Sequence, residues 1–162
     1  MKQTIVILAF AVLVAAGLWY AKGVSLRPEE KSAAGVGFIK ADETSFDFGE
    51  ISMARGIVSR EFKIRNSSES PAEIKSIYTS CMCTNATLNL GGRKFGPYGM
   101  PGHGFVPRVM QTIGAGEEAS LLVEFDPAAH GPAGVGPISR IIAVESSGDA
   151  RLELSISALV RP

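Results

Sequence analysis

The sequence predicts an all-β fold: an antiparallel sandwich of short strands behind one apolar N-terminal segment. Three observations point there. After residue 45 the hydrophobic period is two, and no stretch keeps a 3.6-residue period for three turns. Clusters of Gly, Pro, Ser and Asn punctuate the chain at short intervals. Eighteen Gly and nine Pro in 162 residues oppose a helical bundle.

The first element is the apolar segment. No charge stands between Lys2 and Lys22, and Ile5 to Ala21 is an unbroken apolar run. As a helix it would be about 25 Å long, near the lower limit for crossing a bilayer. Trp19 and Tyr20 sit at its outer end, where amphipathic rings favour the headgroup layer. We therefore expect residues 1–22 to be one transmembrane helix, a single-pass anchor in the cell membrane with the rest of the chain extracytoplasmic. The competing reading is a signal peptide cut at Val14-Ala15-Ala16, which would make the protein secreted or periplasmic. No Cys follows the run, so a lipoprotein anchor is excluded. Residues 23–42, with Arg27-Pro28-Glu29-Glu30-Lys31 and Ser32-Ala33-Ala34-Gly35, read as a flexible tether that buries little surface.

Residues 43–162 read as the folded domain. Strands are expected near 45–48, 56–65, 72–83, 118–125, 138–145 and 151–160. Val58, Phe62 and Ile64 share one parity, with Ser59, Glu61, Lys63 and Arg65 on the other. The last run is the clearest, with Leu152, Leu154, Ile156, Ala158 and Val160 on one face. Asn66-Ser67-Ser68-Glu69-Ser70-Pro71, Gly114-Ala115-Gly116 and Ser146-Ser147-Gly148-Asp149 supply the turns. Between strands, a Gly/Pro-rich insertion at 88–112 reads as a long loop.

Charge narrows the function. Sixteen basic residues balance sixteen acidic ones, which gives no support to nucleic-acid binding. Removing Lys2 and Lys22 leaves 14 basic against 16 acidic residues, so the exported part has no drive towards anionic lipid. There is no Gly-x-Ser-x-Gly elbow, no phosphate-binding Gly-rich loop before a helix and no His-Glu-x-x-His. No enzymatic activity and no cofactor is expected. Asn66-Ser67-Ser68 and Asn85-Ala86-Thr87 match glycosylation acceptors, a pattern common by chance.

Several stretches together resemble a known pattern: Phe46-Asp47-Phe48-Gly49-Glu50-Ile51, Phe62-Lys63-Ile64-Arg65-Asn66, Thr79-Ser80-Cys81-Met82-Cys83-Thr84, Gly116-Glu117 and Val123-Glu124-Phe125-Asp126-Pro127. From about 45 to 160 the chain resembles the bacterial domain-of-unknown-function family fifteen seventy-three, whose modules are similar to the immunoglobulin-like domains of the ASH, MSP and Hydin group. The resemblance implies an immunoglobulin-like antiparallel β-sandwich of about seven strands, often exported, with no established reaction. Met82 departs from the Gly usual between the family's cysteines, and the insertion is a second departure.

In such a sandwich alternate connections gather at one end. With 72–83 as the third strand, that alternation brings Cys81, Cys83, Met100, His103 and His130 to a common pole. Residues i and i+2 of an extended strand lie about 6.6–6.8 Å apart at Cα, the upper edge of disulfide geometry. Three readings of the pair stay open: two structural thiols packing the core rim, an intramolecular disulfide with possible redox activity, or a soft-metal site for copper or zinc. In the third, His103, His130 or Met100 completes the shell. The insertion offers Arg93, Phe95, Tyr98 and Phe105, either as a recognition loop for an unknown protein partner or as a flap over an open sheet edge. Asp126 is expected to cap a turn. The leading expectation is a membrane-tethered extracytoplasmic module for protein binding or scaffolding; the alternative is soft-metal or thiol-redox work at the Cys-x-Cys pair.

Overall fold

The computed structural model describes residues 39–103 and 108–162. The anchor expected at 1–22, most of the tether and Phe105 lie outside the described residues. Among the described residues no helix is long and apolar enough to cross a membrane.

Ten strands form two five-stranded sheets. They are β1 (Ile39–Ala41), β2 (Ser45–Ser52), β3 (Val58–Asn66), β4 (Ala72–Thr79), β5 (Thr84–Leu90), β6 (Arg93–Tyr98), β7 (Gln111–Ile113), β8 (Glu118–Phe125), β9 (Gly136–Ser146) and β10 (Arg151–Arg161). The first sheet runs β1-β3-β8-β5-β6 and the second β2-β10-β9-β4-β7. Pairing is antiparallel except between β10 and β2, which run parallel. Period-two alternation places the core between the sheets. Phe62, Ile64, Leu88, Leu121 and Val123 from one sheet meet Ile74, Ile77, Ile142, Leu154 and Ile156 from the other, all essentially solvent-free. Each such side chain contributes about 1.5–3 kcal/mol by leaving water.

Three expectations change. Among the described residues there are ten strands, against about seven expected. Of the tether span 23–42, Ile39–Ala41 pairs with Ile64–Asn66 as β1. The insertion at 88–112 is in part strand: Leu88–Leu90 ends β5, Arg93–Tyr98 is β6, Gln111 and Thr112 begin β7, and Gly91 and Gly92, with φ of 56° and 76°, turn the chain into β6. Two consecutive positive-φ glycines make the tight hairpin turn whose twist matches its strands. Their run of small residues reads as loop only if that turn type is missed.

The insertion's ring at Tyr98 is core, 2% exposed, and burial pushes its phenol above the ordinary value. The folded state then holds that proton longer than the unfolded chain does. The associated stability is complete below about pH 10 and is lost as pH rises beyond it. Tyr78 shifts the same way, chiefly because its hydroxyl donates to Glu145. We expect the urea midpoint to fall above about pH 10, and Tyr98→Phe to remove part of that fall.

One polar residue is wholly buried at the end of β3. Asn66 is 0% exposed, and its Nδ2 donates to the carbonyls of Ser70, Ile113 and Gly114 at 2.8, 3.0 and 3.1 Å. Its Oδ1 accepts from the Ser68 amide at 3.0 Å and the Ser68 hydroxyl at 2.7 Å. This buried amide is no acceptor for a glycan in the folded chain, whereas Asn85 is exposed.

Candidate functional site

The site grows from the turn that leaves β4. The strand stops at Thr79, four residues short of the expected end, and Ser80 to Cys83 form a tight turn into β5. The Thr84 amide donates to the Cys81 carbonyl at 3.1 Å. The buried Thr79 hydroxyl lies 2.9 Å from the carbonyls of both Cys81 and Thr84, joining the two sides of the turn. The turn is also pinned from outside. The Ser80 amide donates to Ile141 O at 2.9 Å, the Ile141 amide donates to Ser80 Oγ at 2.9 Å, and the Asp126 amide donates to Cys83 O at 2.9 Å.

Bending the chain here shortens the Cys81–Cys83 Cα distance to 5.3 Å, and the two cysteines form a disulfide. Of the three readings of the pair, the disulfide is the one present in this structure. Cys81 is half-buried and Cys83 buried. Each sulfur has a different neighbour. His130 Nε2 stands 3.1 Å from Cys81 Sγ, and Arg140 Nε donates to Cys83 Sγ at 3.3 Å. The Thr84 hydroxyl lies 3.7 Å from Cys83 Sγ.

His130 is delivered by the connection between β8 and β9. Asp126 Oδ1 accepts from the Ala128 amide at 2.9 Å, the turn expected of it, and a short 3-10 turn follows at Gly131–Gly134. A Cβ added at Gly134 would stand 3.3 Å from Pro127 O and 3.4 Å from His130 Cβ, so the small residue lets the loop close beneath the imidazole. Arg140 comes from β9, on the parity of Ile138, Ile142 and Val144, and so faces inward at the sandwich rim. The sequence reading did not single it out. The available signal was a cation on the core face of a strand.

Of the residues expected at this pole, the structure brings together Cys81, Cys83 and His130, whose donor atoms all lie within 4.8 Å of one another. His103 is not in that group; it is exposed in a turn where its amide donates to Met100 O at 3.3 Å. Met100 is half-buried just after β6. Arg93 and Phe95 lie on β6, opposite Leu90 and Leu88, about 20 Å along the strand from the cysteine turn. There the Arg93 guanidinium covers the Phe95 ring at 5.3 Å. Beside the disulfide is a shallow pocket of about 160 Å³ with Ile57, Met82, Glu124 and Asp126 in its wall. Ile57 and Met82 are 63% and 51% exposed, leaving an apolar rim next to Cys83.

A second polar group lies on the outer face of the other sheet. Glu145 accepts from Ser76 Oγ at 2.6 Å and from Tyr78 OH at 3.0 Å, which holds its carboxyl below the usual range. These bonds span β4 and β9 and are structural.

Solved structures of other proteins are similar to this chain to differing degrees. A protein of unknown function from Porphyromonas gingivalis W83 matches with a TM-score of 0.56 at 17% identity, over 78% of this chain and 48% of that one. The YadV chaperone matches with a TM-score of 0.50 at 9% identity, over 76% of this chain and 52% of that one. The ASH / PapD-like domain 7 of human CEP192 matches with a TM-score of 0.48 at 11% identity, over 76% of this chain and 84% of that one. This chain spans about half the length of the first two, and their likeness is one of fold. No curated protein matches the chain. The domain is an immunoglobulin-like β-sandwich, and its residues 39–91, from β1 through the glycine turn after β5, match the family described as Protein of unknown function (DUF1573).

Proposed function

We propose that the chain is a membrane-tethered, extracytoplasmic module that engages another protein through the Cys81–Cys83 pair by thiol–disulfide exchange, with no small-molecule substrate to turn over. The observation behind this is the pair of neighbours: one sulfur beside an imidazole, the other beside a guanidinium.

Exchange proceeds by attack of a thiolate on one sulfur and departure of the other. A partner thiolate attacks Cys81 Sγ, the more exposed sulfur. The disulfide breaks, and Cys83 Sγ leaves with the electron pair as a thiolate that meets the Arg140 N–H already aimed at it. A second thiol of the partner, as its thiolate, attacks the partner sulfur of the mixed disulfide, and Cys81 departs as a thiolate beside His130. The partner leaves oxidised by two electrons and the pair remains reduced. The apolar rim of Ile57 and Met82 gives the partner a surface to rest on.

The test is to equilibrate the full-length protein with reduced and oxidised glutathione and count acid-trapped thiols. The expected result is two thiols appearing while the far-ultraviolet dichroism of the sheets is unchanged. In a Cys83→Ser variant, Cys81 is expected to hold the glutathione adduct. Arg140→Gln is expected to slow exchange about tenfold, the worth of one charge-assisted hydrogen bond to the leaving sulfur. A disulfide that opens only when the domain unfolds would end this reading.

A further inference from the structure

We infer that the reduced pair is a soft-metal site: the sulfurs of Cys81 and Cys83 and Nε2 of His130 bind one Cu(I) ion in three-coordinate fashion. The inference rests on the reading of the disulfide as reducible in the folded protein, and extends it to what the reduced state holds.

Distance is the first argument. The three donor atoms come from two separate loops and lie within 4.8 Å of one another. An ion bound by sulfur and imidazole nitrogen sits about 2.0–2.3 Å from each, so two donors on one ion are about 3.5–4 Å apart. His130 Nε2 already stands 3.1 Å from Cys81 Sγ. When the disulfide is reduced the sulfurs must separate, and that movement opens the space an ion needs. The turn that carries them is held at Ser80, Thr84 and Asp126, so the donors stay on one rim.

Chemistry is the second argument. Two thiolates and an imidazole are soft and borderline donors, suited to Cu(I) and unsuited to calcium or magnesium, which take oxygen ligands. Charge then separates copper from zinc. Two thiolates with a monovalent ion leave one negative charge, and Arg140, whose Nε donates to Cys83 Sγ at 3.3 Å, cancels it. A divalent ion would neutralise the thiolates by itself and leave the guanidinium's positive charge uncompensated beside it. Zinc also favours four ligands, whereas among the described His, Cys, Asp and Glu residues this cluster supplies three. Arg140 thus acts as an outer partner that orients a ligand sulfur, a role that commonly alters affinity about 10–100-fold. Half-buried Cys81 and exposed His130 leave the site reachable from solvent.

The steps balance. A thiol reductant converts the disulfide to two thiols and is itself oxidised to a disulfide. Binding then exchanges two thiol protons for one Cu(I), with no further change of oxidation state.

The experiment uses the full-length protein, reduced anaerobically with dithiothreitol, freed of reductant, and titrated with Cu(I) held by a chromogenic chelator. The expected result is one Cu(I) per chain withdrawn from the chelator, a thiolate-to-copper charge-transfer band in the ultraviolet, and an X-ray absorption edge fitted by two sulfurs and one nitrogen. Cys81→Ser is expected to abolish capture. His130→Ala, at an exposed position that does not endanger the fold, is expected to weaken it at least about tenfold, and Arg140→Gln about 10–100-fold. Zn²⁺ is expected to compete poorly. Two counted thiols without copper capture, or equal capture by His130→Ala, would overturn the metal site and leave the exchange reading standing. A pair that yields no thiols in the folded protein would remove both.

Discussion

Asn66→Ala is expected to destabilise the domain by about 3–5 kcal/mol, from one buried and several part-buried partners left unsatisfied at up to about 1–3 kcal/mol each. The side chain is fully buried where β3 ends, and its amide ties the loop 67–71 to the end of β7. Alanine removes the Nδ2 donor from the Ser70, Ile113 and Gly114 carbonyls and the Oδ1 acceptor from the Ser68 amide and hydroxyl. The Asn66 main chain also bonds there, its amide to Glu117 O at 3.1 Å and its carbonyl to the Gly116 amide at 3.0 Å, so a shift that rescues one loop strains another. Asn66→Asp is expected to be worse, because a carboxylate would face three carbonyl oxygens in place of a donor. The contrast is Asn85→Ala, at an exposed position of β5, expected to change stability by no more than about 0.5 kcal/mol. Equilibrium urea denaturation followed by circular dichroism checks both. Equal midpoints for the two alanine variants would mean that this buried amide does not hold the loops.

Asn66 also marks the limit of what the sequence made legible. The period-two pattern locates the strands from Val58, Leu121 and Leu152 because a half-buried sheet forces alternation. It leaves open which partners meet the polar residues that share the apolar parity. Asn66 follows Phe62 and Ile64 on the inward face, and Arg140 stands between Ile138 and Ile142. Read by parity, both are polar groups aimed inward that require partners, and both have them. Arg60 shares the inward parity of β3 at its half-exposed end: its guanidinium stacks on Phe46, 4.3 Å from the ring centroid, and pairs with Glu43, while its buried Nε has no hydrogen-bond partner. The joining of the β4–β5 turn to the β8–β9 connection followed from strand alternation, which is why Cys81, Cys83 and His130 meet. His103 does not join them: it stands exposed in a turn after Met100. The strands β5 to β7 were hidden by composition: Thr84-Asn85-Ala86-Thr87 is weakly apolar, and its burial comes from β8 on one side and β6 on the other.

Leu121→Ala is expected to cost about 2–5 kcal/mol, while Leu122→Ala, one residue along the same strand, is expected to cost less than about 1 kcal/mol. Leu121 is 0% exposed and stands between Phe62 of β3 and Leu88 of β5, at the centre of the first sheet's inner face. Truncation leaves a cavity walled by other strands, and the cost grows because neither β3 nor β5 can move inward without losing its own pairing with β8. Leu122 points the other way, opposite Glu61 and Thr87 on the partly exposed outer face, where removal of its side chain opens no enclosed space. The pair tests the sandwich itself, because adjacent leucines in a helix or a loop would not be split so sharply by a period of two. Thermal and urea denaturation of the two variants should therefore separate by several degrees and in midpoint at unchanged slope. Equal losses would place both side chains in comparable surroundings and contradict the assignment of an inner and an outer face to β8, and with it the geometry that carries Asp126 and His130 from the end of that strand to the disulfide.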